Sequence, residues 1–406
     1  MDVLIVGGGG REHALAWRLA QSPGLDELHA APGNPGIARL GTCHAVAADD
    51  MGALVTLSRR LAVDLVVIGP EAPLVAGLGD ALRDAEVAVF GPGAEAARIE
   101  GSKSFAKDVL RAAGVPTAEE LAAPRAPCVV KADGLAAGKG VFVCETEAQL
   151  AEALPRAEAL GGSVVVEELL EGREVSLFAL CDGERALTLA PAQDFKRLLD
   201  DDRGPNTGGM GSYSPVPWLG AEEAEALTEH VHLPVLRELA ARGSPFHGLL
   251  YAGLMLTEEG PRVLEFNCRF GDPETQAILP RLDGELLGAL AAVAEGSLAG
   301  VELAAGPESA VTVVLAAAGY PDAPESGAPI VGLDEAEAAG GLVFHAGTAV
   351  RSGELVATGG RVLAVTALGE SVGEARERAY RAVEQIELPG VQYRQDIALA
   401  AVHAHA

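Results

Sequence analysis

The chain lacks several features that whole classes of protein require. Its apolar runs are all shorter than a membrane span, so no transmembrane segment is predicted. Its five cysteines include no CxxC pair, which predicts reduced thiols in a cytoplasmic protein rather than a secreted disulfide framework. The nine histidines show no HExxH spacing, and the strand-like start MDVLIV carries no basic segment, so no signal peptide is expected.

Positive charge is also scarce. The chain has 30 Lys and Arg against 58 Asp and Glu, a formal net charge of −28. Such a field argues against nucleic acid or an anionic membrane as partner, and an anionic small molecule would need a local basic pocket. Only five of the cations are lysines, and all five lie between residues 103 and 196. Because an ammonium is a compact point charge and a guanidinium a planar fork, each lysine is a candidate for a specific role.

The first hundred residues predict a parallel α/β domain. Residues 2–6 form an apolar strand, GGGG follows, and a helical pattern begins; residues 64–69 and 87–91 are further apolar strands. Parallel strands bind ligands at their carboxyl ends, and a helix that starts at glycines favours an anion there. A dinucleotide fingerprint would need glycine where Glu12 stands, which disfavours a nicotinamide oxidoreductase.

A glycine-rich loop lies at the centre of the chain, in VVKADGLAAGKGV (residues 129–141). Such loops let backbone N–H groups approach phosphate, and Lys131 and Lys139 add charge at the two ends. The Walker pattern fails because Lys139 is followed by Gly140 and then by a strand. Two interpretations stay open: a phosphate-binding flap between antiparallel strands, or a flexible hairpin with incidental lysines.

Upstream of this loop, EGSKSFAKDVLRAAGVP predicts a helix capped by Ser102 and ended by Gly114. It places Lys103 and Lys107 on one face, which on its own would be an ordinary solvated basic face.

A predicted β-hairpin at residues 249–276 carries the second candidate site. Residues two apart in a strand share a face, so Glu265, Asn267 and Arg269 are expected on one surface. The other face is expected to fill a core with Leu264, Phe266, Cys268 and Phe270. Carboxylate and amide oxygens suit Mg²⁺ held jointly with substrate phosphates, an interpretation we favour over a solvated strand face. Residues 191–215, rich in Gly, Pro and Asp, predict an irregular functional loop.

These stretches together resemble one family. GGREHALAW, APGNPG, VIGPEAPL, EGSKSFAKD, VKADGLAAGKGV, GPNTGGMGSYSP, YAGLM and EFNCRFGDPETQ are similar, in that order and over nearly the whole chain, to the glycinamide ribonucleotide synthetases (phosphoribosylamine–glycine ligases) of the ATP-grasp superfamily. The chain departs from the family at Phe195, where histidine is usual, and at Gln395, where lysine is usual. Met255 stands where many ATP-grasp enzymes have an acidic metal ligand.

The resemblance implies a fold and an activity. The expected fold is an N-terminal α/β domain with a parallel sheet (1–100), an α+β ATP-grasp domain (101–305) with a small lid at about 116–187, and a C-terminal α+β domain (306–406) with few candidate catalytic groups. The implied reaction is purine biosynthetic: ATP, glycine and 5-phosphoribosylamine give glycinamide ribonucleotide, ADP and phosphate through glycyl phosphate. The implied cofactors are ATP and Mg²⁺ or Mn²⁺, and a cytoplasmic monomer is expected.

The resemblance also implies site residues. Arg269 and Lys139 are expected to be catalytic, and Glu265 and Asn267 to bind the metal. ATP is expected at Lys103, Lys131, Gly134, Gly138, Lys139, Gly140, Glu167, Glu168, Leu170 and Glu174. Substrates are expected at Gly9, Gly10, Asn34, Glu71, Asp194, Lys196, Asn206, Arg269, Asp272 and Glu274.

Three other functions stay open on sequence alone. The first is a different carboxylate–amine ligase of the same superfamily, and the second is a non-catalytic nucleotide-binding module. The third is an oxidoreductase, which the broken fingerprint disfavours.

Overall fold

A five-stranded parallel sheet organises the first hundred residues. The computed structural model describes residues 1–136 and 139–403. The elements here are β1 (Asp2–Gly7), α1 (Gly10–Leu19), β2 (Glu27–Pro32), a 3₁₀ turn (Ile37–Arg39), β3 (Thr42–Cys43), α2 (Met51–Leu61), β4 (Leu65–Ile68), α3 (Glu71–Val75), α4 (Leu78–Asp84), β5 (Val89–Phe90) and α5 (Ala94–Gly101). The strand order is β3-β2-β1-β4-β5, and all five strands are parallel. The three apolar runs predicted as parallel strands are β1, β4 and β5.

The middle of the chain contains two antiparallel sheets. Its elements are α6 (Lys103–Ala113), β6 (Cys128–Ala132), β7 (Val141–Cys144), α7 (Glu147–Gly161), β8 (Val164–Glu168), β9 (Arg173–Asp182), β10 (Ala186–Thr188), β11 (Gln193–Asp194), β12 (Arg197–Leu199), β13 (Arg203–Asn206), β14 (Gly211–Ser214), α8 (Ala221–Ala241), β15 (His247–Thr257), β16 (Gly260–Asn267), α9 (Glu274–Ile278), a 3₁₀ turn (Leu279–Arg281), β17 (Leu282–Asp283), α10 (Leu286–Glu295) and β18 (Ala304–Ala305). The sheets are ordered β7-β6-β8 and β10-β9-β15-β16. The Ser102 side chain caps α6, and Gly114 ends it in the left-handed conformation, both as predicted.

The small sheet β7-β6-β8 is the part of the predicted lid that forms a unit of its own. Helix α7 covers it, and the two share a small core that includes Val130, Leu150 and Val166. Strand β9 pairs instead along its whole length with β15. The structural unit therefore ends at Glu168, earlier than residue 187, and its motion stays a prediction.

The last hundred residues build a sheet that recruits strands from the middle of the chain. Its own elements are β19 (Ser309–Ala316), α11 (Leu333–Ala338), β20 (Leu342–His345), β21 (Thr348–Arg351), β22 (Glu354–Ala357), β23 (Arg361–Gly369), α12 (Val372–Val383) and α13 (Leu399–His403). The sheet order is β11-β14-β19-β23-β20. The prediction that residues 191–215 are irregular is therefore wrong. Strand β14 is buried because β19 supplies its partner, and β12 and β13 form a short hairpin.

Among the helices of the described chain, none combines the length and hydrophobicity that crossing a membrane demands.

Candidate active site

A cavity of about 750 Å³ lies where the parallel sheet, both middle sheets and the C-terminal sheet meet. Strand ends and loops from each region line it, so residues far apart in sequence become neighbours. It brings together most of the predicted site residues, which are Lys103, Lys131, Gly134, Gly140, Glu167, Glu168, Leu170, Glu174, Glu71, Asp194, Lys196, Asn206, Asp272, Glu274, Glu265, Asn267 and Arg269.

One part of the cavity wall, here called the lysine end, contains Lys103 and Lys131. The Lys131 ammonium lies 2.6 Å from the Glu167 carboxylate and donates a hydrogen bond to the Leu264 carbonyl at 2.8 Å. Lys107 contacts the other Glu167 oxygen at 2.8 Å and donates to the Ala118 carbonyl, so it is buried rather than part of a solvated face. The small sheet is thus joined to α6 and β16 by a Lys–Glu–Lys group whose charges are paired.

The N-terminus of α6 is tied to the start of the glycine loop by Asp133. Its carboxylate accepts hydrogen bonds from the Lys103 backbone N–H at 2.6 Å and from the Ser104 hydroxyl at 2.7 Å. Burial would raise the pKa of Asp133, but the hydrogen bonds from Ser104 and Lys103 hold it below its ordinary value. A carboxylate at a helix N-terminus is electrostatically favoured, so this contact positions both Lys103 and the loop.

A second charged group lies on β9 and β11. The Lys196 ammonium forms a short ion pair with Glu174. Burial would lower the pKa of Lys196, but Asp194 and Glu174 raise it well above its usual range, so this cation stays charged. Burial raises the pKa of Asp194 to about 8, with Lys196 opposing the shift and Glu274 reinforcing it. Asp194, Glu174 and Lys196 therefore form one electrostatically coupled group in the cavity wall.

Glu265 and Asn267 lie between the two ends of the cavity, on the last residues of β16. Burial would raise the pKa of Glu265, but Lys103, Lys196 and Lys131 outweigh it and keep the group ionised. Among the described residues, no cluster of three or more His, Cys, Asp or Glu could hold a metal with protein ligands alone. A carboxylate and an amide oxygen fit a hard cation that takes its remaining ligands from phosphates and water.

One prediction for this hairpin is wrong. Gly253 pairs with Glu265 and Leu254 pairs with Val263, so Leu264 is an extra residue, a β-bulge. The bulge places Leu264 in the cavity wall rather than the core, and its carbonyl faces Lys131. Phe266, Cys268 and Phe270 are buried as predicted.

At the opposite end of the cavity the cations are arginines. Arg269 donates to Glu71 at 3.2 Å and to Glu100 at 2.9 Å, and Arg11 contacts Glu12 at 2.6 Å and Glu71 at 3.3 Å. Burial would raise the pKa of Glu71, but Arg11 and Arg269 hold it at about 2. Burial lowers the pKa of the Arg269 guanidinium, yet Glu100 and Glu71 raise it above its ordinary value. Glu71 and the two arginines are therefore charged, and the ion pairs fix the orientation of both guanidinium groups.

The C-terminal part of the chain contributes a third arginine, Arg361, to the cavity wall. Arg361 contacts the Asp272 carboxylate at 3.0 Å and donates to the Asp272 carbonyl at 2.6 Å. The other Asp272 oxygen accepts a hydrogen bond from Gln276 at 2.8 Å. A Cβ built on Gly10 would lie 3.6 Å from this carboxylate, so Asp272 sits over the N-terminus of α1.

Glu274 belongs to a buried polar chain. It accepts a hydrogen bond from the Tyr251 hydroxyl at 2.8 Å, and that hydroxyl lies 2.8 Å from the Ser176 hydroxyl. Both Glu274 and Tyr251 line the cavity. These hydrogen-bonded side chains present a carboxyl group and its supporting hydroxyls to the cavity that Arg269 and Asp194 also line.

Several predicted residues lie outside the cavity wall. The Gly9 N–H donates to Glu12 at 2.6 Å. The Asn34 amide donates to the carbonyls of Gly8 and His345, both at 2.9 Å, and its oxygen accepts from Ile37. The Lys139 ammonium donates to the Pro321 carbonyl at 2.8 Å, which connects the glycine loop to the C-terminal domain. Gly138 lies outside the described residues. The substrate, ATP and catalytic roles of these residues stay predictions.

Six charged cavity residues were not predicted: Arg11, Glu100, Arg173, Arg197, Asp202 and Arg361. The sequence contained a feature that could have identified Arg11, because a charged residue directly after GGGG, at the start of a helix, lies at the same sheet edge as the glycines. Glu100 and Arg361 had no such feature, because their partners are more than 80 residues away in sequence.

Comparison with known proteins matches the whole chain to one family. Models described as phosphoribosylglycinamide synthetase N domain, ATP-grasp (A) domain and C domain match residues 1–100, 101–275 and 310–400. The phosphoribosylamine–glycine ligases of Streptomyces coelicolor and Rhizobium meliloti are 53% and 51% identical to the chain. The first comparison covers 100% of both proteins and the second 99% of both.

Solved structures agree. The crystal structure of phosphoribosylamine–glycine ligase from Thermotoga maritima matches with a TM-score of 0.84 and 36% identity, over 98% of this chain and 100% of that one. The biotin carboxylase domain of the Hydrogenobacter thermophilus 2-oxoglutarate carboxylase matches with a TM-score of 0.70 at 16% identity, over 97% and 91% of the two chains, which supports the ATP-grasp fold alone. The chain therefore belongs to the phosphoribosylglycinamide synthetase family, and both the fold class and the family resemblance predicted from its motifs are confirmed.

Proposed function

We propose that this chain catalyses the ATP-dependent ligation of glycine to 5-phosphoribosylamine, giving glycinamide ribonucleotide, ADP and phosphate in purine biosynthesis. The observation that carries the proposal is one cavity that brings together two lysines, Lys103 and Lys131, two arginines, Arg11 and Arg269, and the candidate metal ligands Glu265 and Asn267. Two reactants rich in negative charge need two separate sets of cations. Full-length relatives named phosphoribosylamine–glycine ligase support the same assignment.

The nucleotide is assigned to the lysine end. Lys103, Lys131 and the loop at Gly134 and Gly140 would face its phosphates, with Lys139 at the end of the same loop. The segment from Glu167 to Leu170 would face the base, and Glu174 the ribose. Mg²⁺ or Mn²⁺ held by Glu265, Asn267 and the phosphates would supply charge neutralisation for the transferring phosphoryl group.

The acceptor substrates are assigned to the arginine end and to the polar groups beside it. Arg269, fixed by Glu71 and Glu100, would orient the glycine carboxylate, because a planar guanidinium matches a planar anion. Glu274 and Asp194, with Lys196 and Asn206 nearby, would face the glycine ammonium and the reacting groups. The phosphate of phosphoribosylamine is assigned to the N-terminus of α1 at Gly9 and Gly10, with Asn34, Glu71 and Asp272 around it.

The chemistry follows in two steps. A glycine carboxylate oxygen attacks the γ-phosphorus, an O–P bond forms, and ADP leaves, which gives glycyl phosphate. The amine of phosphoribosylamine then attacks the carbonyl carbon, and phosphate leaves with the bonding pair. Arg269 and Lys131 stabilise negative charge in both steps, because preorganised cations in a partly enclosed cavity need no reorganisation.

We further propose the organisation of the working enzyme. Domain boundaries are assigned near residues 100 and 305, with a lid that closes over the nucleotide from about residue 116. The enzyme is assigned as a cytoplasmic monomer that acts on small molecules and binds neither nucleic acid nor membrane, in keeping with its net charge of −28.

ADP release tests the proposal directly. With ATP, glycine and freshly prepared phosphoribosylamine, we expect turnover that stops when any one of the three is omitted. A different carboxylate–amine ligase would tolerate omission of glycine or phosphoribosylamine and require another acceptor. A nucleotide-binding module without activity would release no ADP in any mixture.

A further inference from the structure

The small sheet of the middle domain holds two cysteines directly opposite each other. Cys128 on β6 is the register partner of Cys144 on β7, and both side chains are buried in the core beneath α7. Opposite residues of antiparallel strands have Cα atoms about 4.5–5.5 Å apart, within the range of about 4.4–6.8 Å that a disulfide spans. Among the five cysteines, the described pairings put only these two on neighbouring strands in register.

Each of the two thiols also affects the pKa of the other. Burial raises the pKa of Cys144 to about 11 and raises that of Cys128, and in each case the other thiol is among the perturbing groups. Both sulfurs are therefore protonated at neutral pH and poor nucleophiles when the sheet is closed. Oxidation then requires transient opening of the core, which is small and contains the alanines Ala132, Ala153 and Ala157.

We infer that Cys128 and Cys144 form a reversible thiol–disulfide couple, a modification site that responds to peroxides. One thiolate attacks hydrogen peroxide, an S–O bond forms, the O–O bond breaks, and hydroxide leaves and becomes water. The second sulfur attacks the resulting sulfenic sulfur, the S–S bond forms, and the S–O bond breaks with loss of a second water. The two thiols lose two protons and two electrons in total, and peroxide is reduced to two water molecules.

A disulfide between Cys128 and Cys144 would constrain the hairpin that lines the proposed nucleotide end of the cavity. Cys128 and Cys144 close the base of the β6–β7 hairpin, whose tip is the glycine loop, and the adjacent Val129 and Val143 line the cavity. Oxidation would turn strand, loop and strand into one covalent ring. This site is independent of the proposed substrate assignment, because it rests on register and burial alone.

Peptide analysis by mass spectrometry, carried out on the oxidised full-length protein, tests the inference. The protein is treated with a graded excess of hydrogen peroxide, its thiols are blocked with iodoacetamide in urea, and it is digested without reductant. We expect a linked peptide that joins Cys128 to Cys144, and two fewer alkylated thiols, both reversed by dithiothreitol. Cys43, half-buried and donating to the Asn34 carbonyl, provides the matched control, and Cys43→Ser should leave the linked peptide unchanged.

Cys128→Ser should abolish the linked peptide while the protein remains folded by circular dichroism. If that variant does not fold, the linked peptides of the oxidised wild-type protein still test the inference, because they require no substitution. The inference is overturned if Cys128 and Cys144 remain fully alkylated after Cys43 has been oxidised, or if the linked peptides join other cysteines.

Discussion

The two ends of the cavity use different cations in different ways. At the lysine end, Lys131 contacts one carboxylate and one carbonyl, both from the middle part of the chain. At the other end, each arginine joins segments far apart in sequence: Arg269 holds Glu71 and Glu100, and Arg361 holds Asp272. The Lys131 ammonium acts here as a point charge, whereas the Arg269 guanidinium holds two carboxylates at once. A ligand at the arginine end therefore meets cations that are already oriented by carboxylates.

The two glycine-rich segments also differ in the groups that they contact. The turn at Gly7–Gly10 is packed against carboxylates, because Glu12 accepts from the Gly9 N–H and Asp272 lies over Gly10. The central loop is connected to distant parts of the chain through Lys139 to Pro321 and through Asn206 to the Val141 carbonyl. A glycine-rich sequence thus forms a packed turn at Gly7–Gly10, whereas the central glycine loop is connected to distant parts of the chain.

The largest effect is expected where the two ends meet. Glu265→Gln removes the charge that Lys103, Lys196 and Lys131 surround, and it weakens the proposed metal site. We expect kcat to fall about 100- to 1,000-fold with an unchanged circular dichroism spectrum. Glu258→Gln, in the exposed turn of the same hairpin, is the control. Full activity of Glu265→Gln at ordinary Mg²⁺ concentration would remove this residue from the site.

The next largest effect tests whether the arginine end requires a planar guanidinium group rather than any positive charge. Arg269→Lys keeps the charge but cannot contact Glu71 and Glu100 together, so we expect kcat/KM for glycine to fall about 10- to 100-fold. Arg262→Lys, which changes an ion-pair partner of the exposed Glu259 earlier in the same hairpin, should leave kcat/KM for glycine unchanged. Equal values for both variants would show that charge alone suffices at residue 269.

The reciprocal exchange tests the lysine end. Lys131→Arg places a longer, planar group where an ammonium lies between Glu167 and Leu264, so KM for ATP should rise about tenfold. Lys107→Arg is a close control, because Lys107 is equally buried and pairs with the same carboxylate but does not line the cavity. That variant should lower the melting temperature without changing KM for ATP. If both variants change KM alike, the effect is structural.

A smaller effect is expected at the N-terminal turn. Gly9→Val adds bulk beside the Glu12 carboxylate, and its Cβ would lie 2.7 Å from a flexible carboxylate oxygen. We expect KM for phosphoribosylamine to rise about three- to tenfold while KM for ATP stays the same. A rise in KM for ATP would move the nucleotide to the N-terminal domain and reverse the assignment of the two ends.

The smallest effect concerns motion of the central loop. If the small sheet closes over ATP, amide exchange at Leu135, Ala136 and Gly140 should slow by about tenfold when nucleotide is added. The amides of β1, in the buried parallel sheet, serve as the internal reference. Identical exchange of the loop with and without ATP would contradict a closing lid.

The sequence by itself determined the local elements and the family. Apolar runs of four to six residues predicted the parallel strands, Ser102 and Gly114 set the ends of α6, and alternation along residues 263–270 indicated the core face of the hairpin. The scarcity of lysine pointed to residues that line the cavity, since Lys103, Lys131 and Lys196 are all in its wall. These features depend on backbone periodicity and capping, which act over a few residues.

Only the tertiary structure decided which charges meet. Glu100 accepts from Arg269, 169 residues away, and Lys139 donates to Pro321, 182 residues away. The bulge at Leu264 changed one side chain from core to cavity, and β14 became a strand because β19 lies beside it. Register and long-range pairing arise when separate segments pack together, so no local pattern carries them.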